Sequence, residues 1–368
     1  MPEAQFTIRF MAQTLPDWVA QGFTIIYYLA FHLTKALTAF VQRDSYLYWP
    51  YSASTVVIAL TVLLIRARRL GNTSQVATVW SAVQPHLAAH LWWHRSARAD
   101  YRLYFTNALI LPILLGALFI GEQMVQGFFA GTFGLTSTLL PAVHGAAATW
   151  AEFRLDVPTA LLALRTISYT VVFYIAYDIS RFVAHSLLHD IPALWEFHKL
   201  HHSAEVLTPM TAYRAHPIEL LLMAWSTVIA TGAITVLFDA LTGQRTAFIT
   251  FLGLHVFLAL TSLVDNLRHS TVWLSYGPRW GHWLVSPAHH QLHHSYEPHH
   301  MGCNRGYTFA LWDRLYGTLY VPGFAPESFR IGLGDGSEAR WHGFTYQYLA
   351  PFAGCLKIAT RRLRRVAS

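Results

Sequence analysis

The sequence predicts an all-α fold, a multi-pass membrane helical bundle of four to six spans, and three observations predict it. Its 368 residues are 54% hydrophobic, 15% aromatic and only 12% charged, an apolar excess over ordinary soluble chains. Six apolar stretches approach or exceed the length that crosses about 30 Å of hydrocarbon. Nine histidines stand at helical spacing: His185 and His189; His198, His201 and His202; His269; His290, His293 and His294. The expected architecture is therefore a bundle with a cytoplasmic helical cap that holds a histidine-rich di-metal centre.

The six stretches are Trp18–Val41, Tyr51–Ile65, Tyr104–Ile120, Thr159–Ala176, Ile218–Phe238 and Thr246–Val264. The first carries His32 and Lys35 and the second is short, which sets the range at four to six. Residues 124–140, rich in Gly, Phe and Thr, suit a re-entrant or interfacial piece. The last two spans flank the polar turn Thr242-Gly243-Gln244-Arg245 and form a helical hairpin. Arg66, Arg68 and Arg69 close the second span, Arg95, Arg98 and Arg102 precede the third, and four arginines end the chain. The positive-inside rule puts these regions in the cytoplasm. With six spans, every histidine cluster falls on that same side, as expected in a bacterial inner membrane or an ER-type membrane.

The net charge of +7 sits beside hydrophobic stretches and not along an aromatic-interleaved polar face, so anionic lipid headgroups are the expected counter-charge, with no nucleic acid. The two cysteines, Cys303 and Cys355, form neither a CxxC pair nor a disulfide framework. Any metal site is thiolate-free. Met1–Asp17 is mixed and amphipathic, and no removed signal peptide is expected. Three regions are expected: membrane helices and a cytoplasmic loop over 1–158, a catalytic region over 159–321 and a cytoplasmic tail over 322–368, with an exposed Gly-rich and charged loop at Gly323–His342.

Residues three or four apart on a helix share a face, so the histidine spacing aims pairs of imidazoles at common points. Neutral imidazole binds iron, zinc and copper. Nine candidates exceed what one ion takes and suit two metals in one cavity. His289 adjoins His290 and either can point inward; His290 is preferred because it repeats the His198 spacing. A metal transporter would place its ligands mid-bilayer in broken helices, whereas only His32 and His255 lie mid-span here.

At these residues the sequence resembles the fatty acid hydroxylase/sterol desaturase superfamily of integral-membrane oxygenases. The carrying stretches are Asp178 to His185-Ser-Leu-Leu-His189; Leu194-Trp-Glu-Phe-His198-Lys-Leu-His201-His202; Arg214-Ala-His216-Pro-Ile-Glu219; His269-Ser270; His290-Gln-Leu-His293-His294; and Leu311-Trp-Asp313. The resemblance spans roughly Thr159 to Val321. It implies two iron ions, for which zinc or another metal can stand in after purification, held by all nine histidines named above. It further implies O2 as co-substrate and hydroxylation or desaturation of a membrane lipid, with aldehyde- or ether-lipid cleavage as the alternative on the same scaffold. Asp178, Arg214, His216, Glu219, Asp265 and Asp313 are the groups expected to orient the imidazoles. Ser186 and Thr271 stand where the family often has Arg and Asn. Asp265 stands where some members have a further histidine; ligation, contact through water and simple solvation at the span end all remain open for it. The chain has no CxxCH, four-cysteine set or dinucleotide fingerprint, so electrons are expected from an external reductase, ferredoxin or cytochrome.

Overall fold

A computed structural model describes residues 17–69, 83–118, 124, 127–128, 159–242 and 245–367. These are mostly helical. The piece expected over 124–140 lies almost entirely outside the described residues.

Helix α1 (Asp17–Leu37) and helix α2 (Trp49–Arg69) are followed by α3 (Arg95–Leu118). α1 lies along α3, where Tyr28 donates to the Pro112 carbonyl at 3.0 Å. α2 ends on Arg66, Arg68 and Arg69, cations placed where the helix dipole is negative. Leu63 of α2 packs with Leu267 and Val272.

Helix α4 (Thr159–Asp190) has 32 residues and, at 1.5 Å per residue, runs about 48 Å. That exceeds the hydrocarbon thickness by several turns. Its last turns, with His185 and His189, are thus free to stand beyond an apolar layer. Pro192 then forbids continuation, because the residue before a proline is pushed out of helical geometry. Ile191 is extended accordingly, at φ −93° and ψ 113°. Pro192 also starts helix α5 (Pro192–His202) at the position where its missing N–H costs nothing. The chain folds back, and α5 packs on α4.

Helix α6 (Pro217–Thr242) runs beside α4 as the most extensive helix pairing in the fold. Tyr169 and Thr235 hydroxyls meet at 2.8 Å, and Ser226 donates to the Ser180 carbonyl at 2.7 Å. Among the described residues, three helices are long and apolar enough to cross a membrane: Trp49–Arg69, Leu161–Asp190 and Pro217–Leu241.

The stretch expected as a sixth span, Thr246–Val264, is not a continuous helix. Leu252 and Gly253 take positive φ (53° and 80°), so strand β1 (Thr250–Phe251) turns tightly into strand β2 (Leu254–His255). Helix α7 (Val256–Asp265) follows with 10 residues, about 15 Å at the helical rise and too short to cross alone.

Two short helices complete the site region, α8 (Pro287–His293) and α9 (Leu311–Tyr316). The expected tail is packed structure. Ser295 pairs with Ile331 in an isolated bridge, Trp341 is buried with Leu103 and Leu200, and helix α10 (Phe344–Ala367) lies against α5. Apolar residues at helical spacing in α10, among them Phe352 against Phe197, give that helix a face to bury, which its terminal arginines mask in a composition reading.

The buried Arg214 guanidinium joins the amino-terminal helices to the histidine region. It meets Asp100 of α3 at 2.7 Å with both side chains fully buried, and donates to the Leu200 carbonyl and the Ser203 hydroxyl at 2.8 Å each. Removing one partner leaves a buried charge uncompensated. Asp100→Ala is expected to destabilise the protein by about 3–5 kcal/mol, read as a lowered thermal midpoint in detergent; an unchanged midpoint contradicts this role.

Candidate metal centre

The nine histidines gather from four pieces of chain that are far apart in sequence. His185 and His189 stand on the last turns of α4, His198, His201 and His202 on the end of α5, and His290 and His293 on α8, whose C-cap is His294. His269 sits on the loop after α7. That loop is held by Gln291 of α8, whose amide donates to the carbonyls of Leu267, Ser270 and Val272 at 2.9–3.0 Å.

The rings form two groups. His185, His189, His198, His202 and His293 make one; His201, His269, His290 and His294 make the other; within each, the candidate ligand atoms lie within 4.8 Å of one another. The HxxHH spacing explains the division. At 100° per residue, positions i and i+4 lie 40° apart, while i+3 and i+4 diverge by a full 100°. So His198 and His202 serve the first group and His201 the second. α8 repeats the word with the allocation reversed, His290 and His294 in the second group and His293 in the first.

Orientation comes from the outer ring nitrogens. His185 Nδ1–H donates to the Arg305 carbonyl at 2.8 Å, His201 Nδ1–H to the Arg214 carbonyl at 3.1 Å, and His293 Nδ1–H to the Cys303 carbonyl at 2.7 Å. His198 Nδ1–H donates to Glu219 Oε1 at 3.0 Å. In each ring the proton is fixed on the outer nitrogen, so the inner Nε2 presents a lone pair. Nε2 atoms of neighbouring rings face one another: 3.1 Å for His185 and His198, 3.3 Å for His189 and His293, 2.9 Å for His269 and His290, and 3.3 Å for His290 and His294. For His185 and His198, whose protons are both held on Nδ1, two lone pairs meet, and these repel unless a cation lies between them. Nitrogens bound about 2.1 Å from a metal sit about 3.0–3.4 Å apart along octahedral or tetrahedral edges. The donor set and its spacing fit transition-metal ions.

Burial keeps the rings outside the candidate spans neutral. It pushes His198 and His293 down to about 3 and His201 down to about 4. His202, His269, His290 and His294 are held well below the usual imidazole range, first by burial and then by neighbouring histidines.

The expected orienting residues divide by what they touch. Glu219 meets His198 with its carboxylate, and Arg214 meets His201 through its backbone carbonyl while its guanidinium serves the fold. Asp313 accepts from the Arg305 and Gly306 amides at 2.7 Å, which sets the carbonyl that His185 uses. Asp178 accepts from the amides of Thr308 and Phe309 and from the Trp312 indole, tying this loop to α4. His216 accepts from the Ile218 amide and faces the Tyr348 carbonyl, away from the ligand rings. Asp265 is not a solvated span end. It is buried, 2.6 Å from Arg268 Nε, and accepts from the Tyr307 hydroxyl at 2.5 Å.

His289 turns away from both groups: Nε2–H donates to the Gly281 carbonyl at 3.1 Å, and Nδ1 accepts from the Ser286 amide and hydroxyl, capping α8. The carbonyls of Cys303 and Arg305 left no side-chain signature, because a main-chain acceptor is independent of residue type.

A cavity of about 640 Å³ opens onto both groups, reaching His185, His198, His201, His269 and His290. Leu111, Leu188, Met223, Ala224 and Val228 form apolar wall, and Tyr46, Tyr104, Tyr177, Tyr213 and Tyr307 supply the aromatics. Trp195, Phe197, Trp273 and Trp283, aromatics near the boxes in sequence that could have lined a substrate path, are not on it; Trp195 instead packs beside His189 and His202.

Residues 170–318, which contain all nine histidines, match the fatty acid hydroxylase family. An ornithine lipid hydroxylase of Rhizobium tropici is 31% identical over 175 residues, 47% of this chain and 46% of that protein. Human cholesterol 25-hydroxylase is 28% identical over 178 residues, 45% of this chain and 54% of its own length. An alkylglycerol monooxygenase of Xenopus tropicalis is 25% identical over 169 residues, 44% of this chain and 31% of its own. The chain thus spans about half the length, or less, of the curated relatives it matches. No solved structure is significantly similar to it. The histidine region is thus similar to the fatty acid hydroxylase family and to named lipid and sterol hydroxylases.

Two expectations follow. Glu219→Gln is expected to weaken metal retention by about 10–100-fold, measured as metal content after graded chelation; full retention contradicts the orienting role. The second concerns acid. The unfolded chain takes up protons below about pH 6.5, while the folded rings stay neutral down to about 4 or 3, so the unfolded state binds more protons across that window. Stability is then expected to fall as pH drops through it, by about 1.4 kcal/mol per pH unit for each such histidine. Denaturation midpoints and bound metal at pH 7.5, 6.5 and 5.5 check this.

Proposed function

We propose that the protein is a membrane-bound nonheme di-iron oxygenase that uses O2 and externally supplied electrons to hydroxylate or desaturate a lipid. The observation that carries this reading is the convergence of nine histidines, in groups of five and four, on a largely apolar cavity that touches both. All nine are the assigned ligands. Bound there, two irons would supply the O2 activation and C–H oxidation that no side chain performs; zinc or another metal can occupy the same donors in purified protein.

The chain's own contribution is positional. Four outer-nitrogen hydrogen bonds fix the ring tautomers and leave Nε2 to the metal. The second group offers one histidine fewer than the first, so it has the more open shell for an exchangeable ligand on the cavity side. The apolar wall excludes water from a lipid chain held beside the rings. The histidines gather at the carboxyl-terminal end of α4, a candidate span, which suits entry of substrate from the bilayer to a cap on the cytoplasmic face. The similarity to alkylglycerol monooxygenases favours one second reading, cleavage of an ether lipid by the same ligands.

Lipid mass spectrometry of cells with and without the gene tests the reading. A gain of one oxygen or a loss of two hydrogens in one lipid class is expected, and a fragmented ether lipid would select the second reading. His201→Ala and His293→Ala, one from each group, are each expected to lower metal content and abolish the lipid change while the protein still inserts. Full activity in both variants would remove the ligand assignment.

A further inference from the structure

Arg181 is a cation on a helix that is otherwise apolar enough to cross a membrane, and such a residue is costly there unless something pairs with it. It sits on α4 one turn before His185, so the two side chains share a face, and both line the cavity. Its guanidinium lies 4.5 Å from the Tyr307 ring centre and 5.6 Å from that of Tyr177. Its Nε is buried and has no hydrogen-bond partner. Among the described residues it forms no ion pair.

The carboxylates on the cavity wall are already engaged. Asp265 faces Arg268 at 2.6 Å and accepts from Tyr307, and Glu219 accepts from His198. Arg268 lies over Tyr307 at 4.6 Å, so that ring is in contact with two guanidinium groups and one carboxylate balances the pair. Within this cluster of Arg181, Arg268 and Asp265, one positive charge is left over. Aromatic faces stabilise a guanidinium without using its N–H groups, so those donors remain for a ligand in the planar fork that matches a carboxylate or phosphate.

We propose that the cavity is a site for an amphiphile whose anionic group, a carboxylate or a phosphate ester, is bound by Arg181 beside Tyr177 and Tyr307, with its apolar chain against Leu111, Met223 and Val228. The proposal rests on the oxygenase reading for what then happens to the ligand. The binding itself does not depend on turnover.

Full-length protein in uncharged maltoside micelles is titrated with laurate, dodecyl phosphate and dodecanol, with binding followed by calorimetry and bound iron measured in parallel. At least one anion is expected to bind about tenfold or more tightly than the alcohol of equal chain length, and the better anion names the source, fatty carboxylate or phospholipid-type phosphate. Arg181→Met is expected to reduce that preference to less than about twofold at unchanged iron content, and Arg181→Lys to retain part of it. Equal binding of dodecanol and both anions by the unaltered protein overturns the proposal, as does a preference that survives in Arg181→Met. Should Arg181→Met fail to fold, the unaltered protein and Arg181→Lys decide: a lysine variant with undiminished preference for both anions counts against the bidentate role. A protein that binds iron and oxidises lipid yet ignores charge refutes this inference alone, whereas one that binds no iron refutes the oxygenase reading.

Discussion

The described region from α4 onward is arranged around one close contact: imidazole nitrogens held 2.9–3.4 Å apart in a dry interior. A ring can escape that contact by rotating, by taking a proton or by moving away. Hydrogen bonds from Nδ1 oppose rotation, burial opposes protonation, and the packing of α4, α5 and α8 opposes separation. For His185 and His198, whose Nε2 lone pairs oppose each other, the contact costs energy by itself; a cation among the rings would relieve it and couple metal binding to folding. The buried Arg214–Asp100 pair extends that constraint to α3, which contributes no histidine.

The helix ends that present the rings are determined by simple chemistry. Pro192 forces α4 and α5 apart, and Ser286 with His289 starts α8 at the residue that puts His290 and His294 on one side. The length of α4 carries two histidines clear of an apolar layer. Its apolar flank against α6 and its cavity-facing Arg181 belong to the same rod, so membrane packing, ligand contact and metal orientation share one rigid element.

The sequence was most legible where periodicity and chemistry coincide. Histidine spacing identified the rings that converge, and repetition of the His198 word separated His290 from His289, which caps the helix. Resemblance to a family pointed to Glu219, whose carboxylate meets His198. Legibility was lower where a main-chain atom or a local turn decides the outcome. The positive φ of Leu252 and Gly253 breaks a stretch that hydropathy alone reads as a crossing helix. The packing of α10 on α5 is hidden in a segment whose charges suggest solvent. Asp265 carried a charge at an apparent span end, yet it is buried against Arg268, three residues on, and Tyr307, which arrives from a distant loop. Arg181 was the overlooked signal, since an arginine one helical turn before His185 can be seen without coordinates.

Three of the four outer-nitrogen acceptors are peptide carbonyls, at Arg214, Cys303 and Arg305. An amide oxygen survives any change of side chain that preserves the local backbone. Drift at a position such as Cys303 can therefore leave ring alignment untouched, and an inventory of invariant side chains would undercount the parts that aim the imidazoles. What selection must preserve there is the path of a loop, for which Asp313, gripping two successive amides, is the side-chain guarantor.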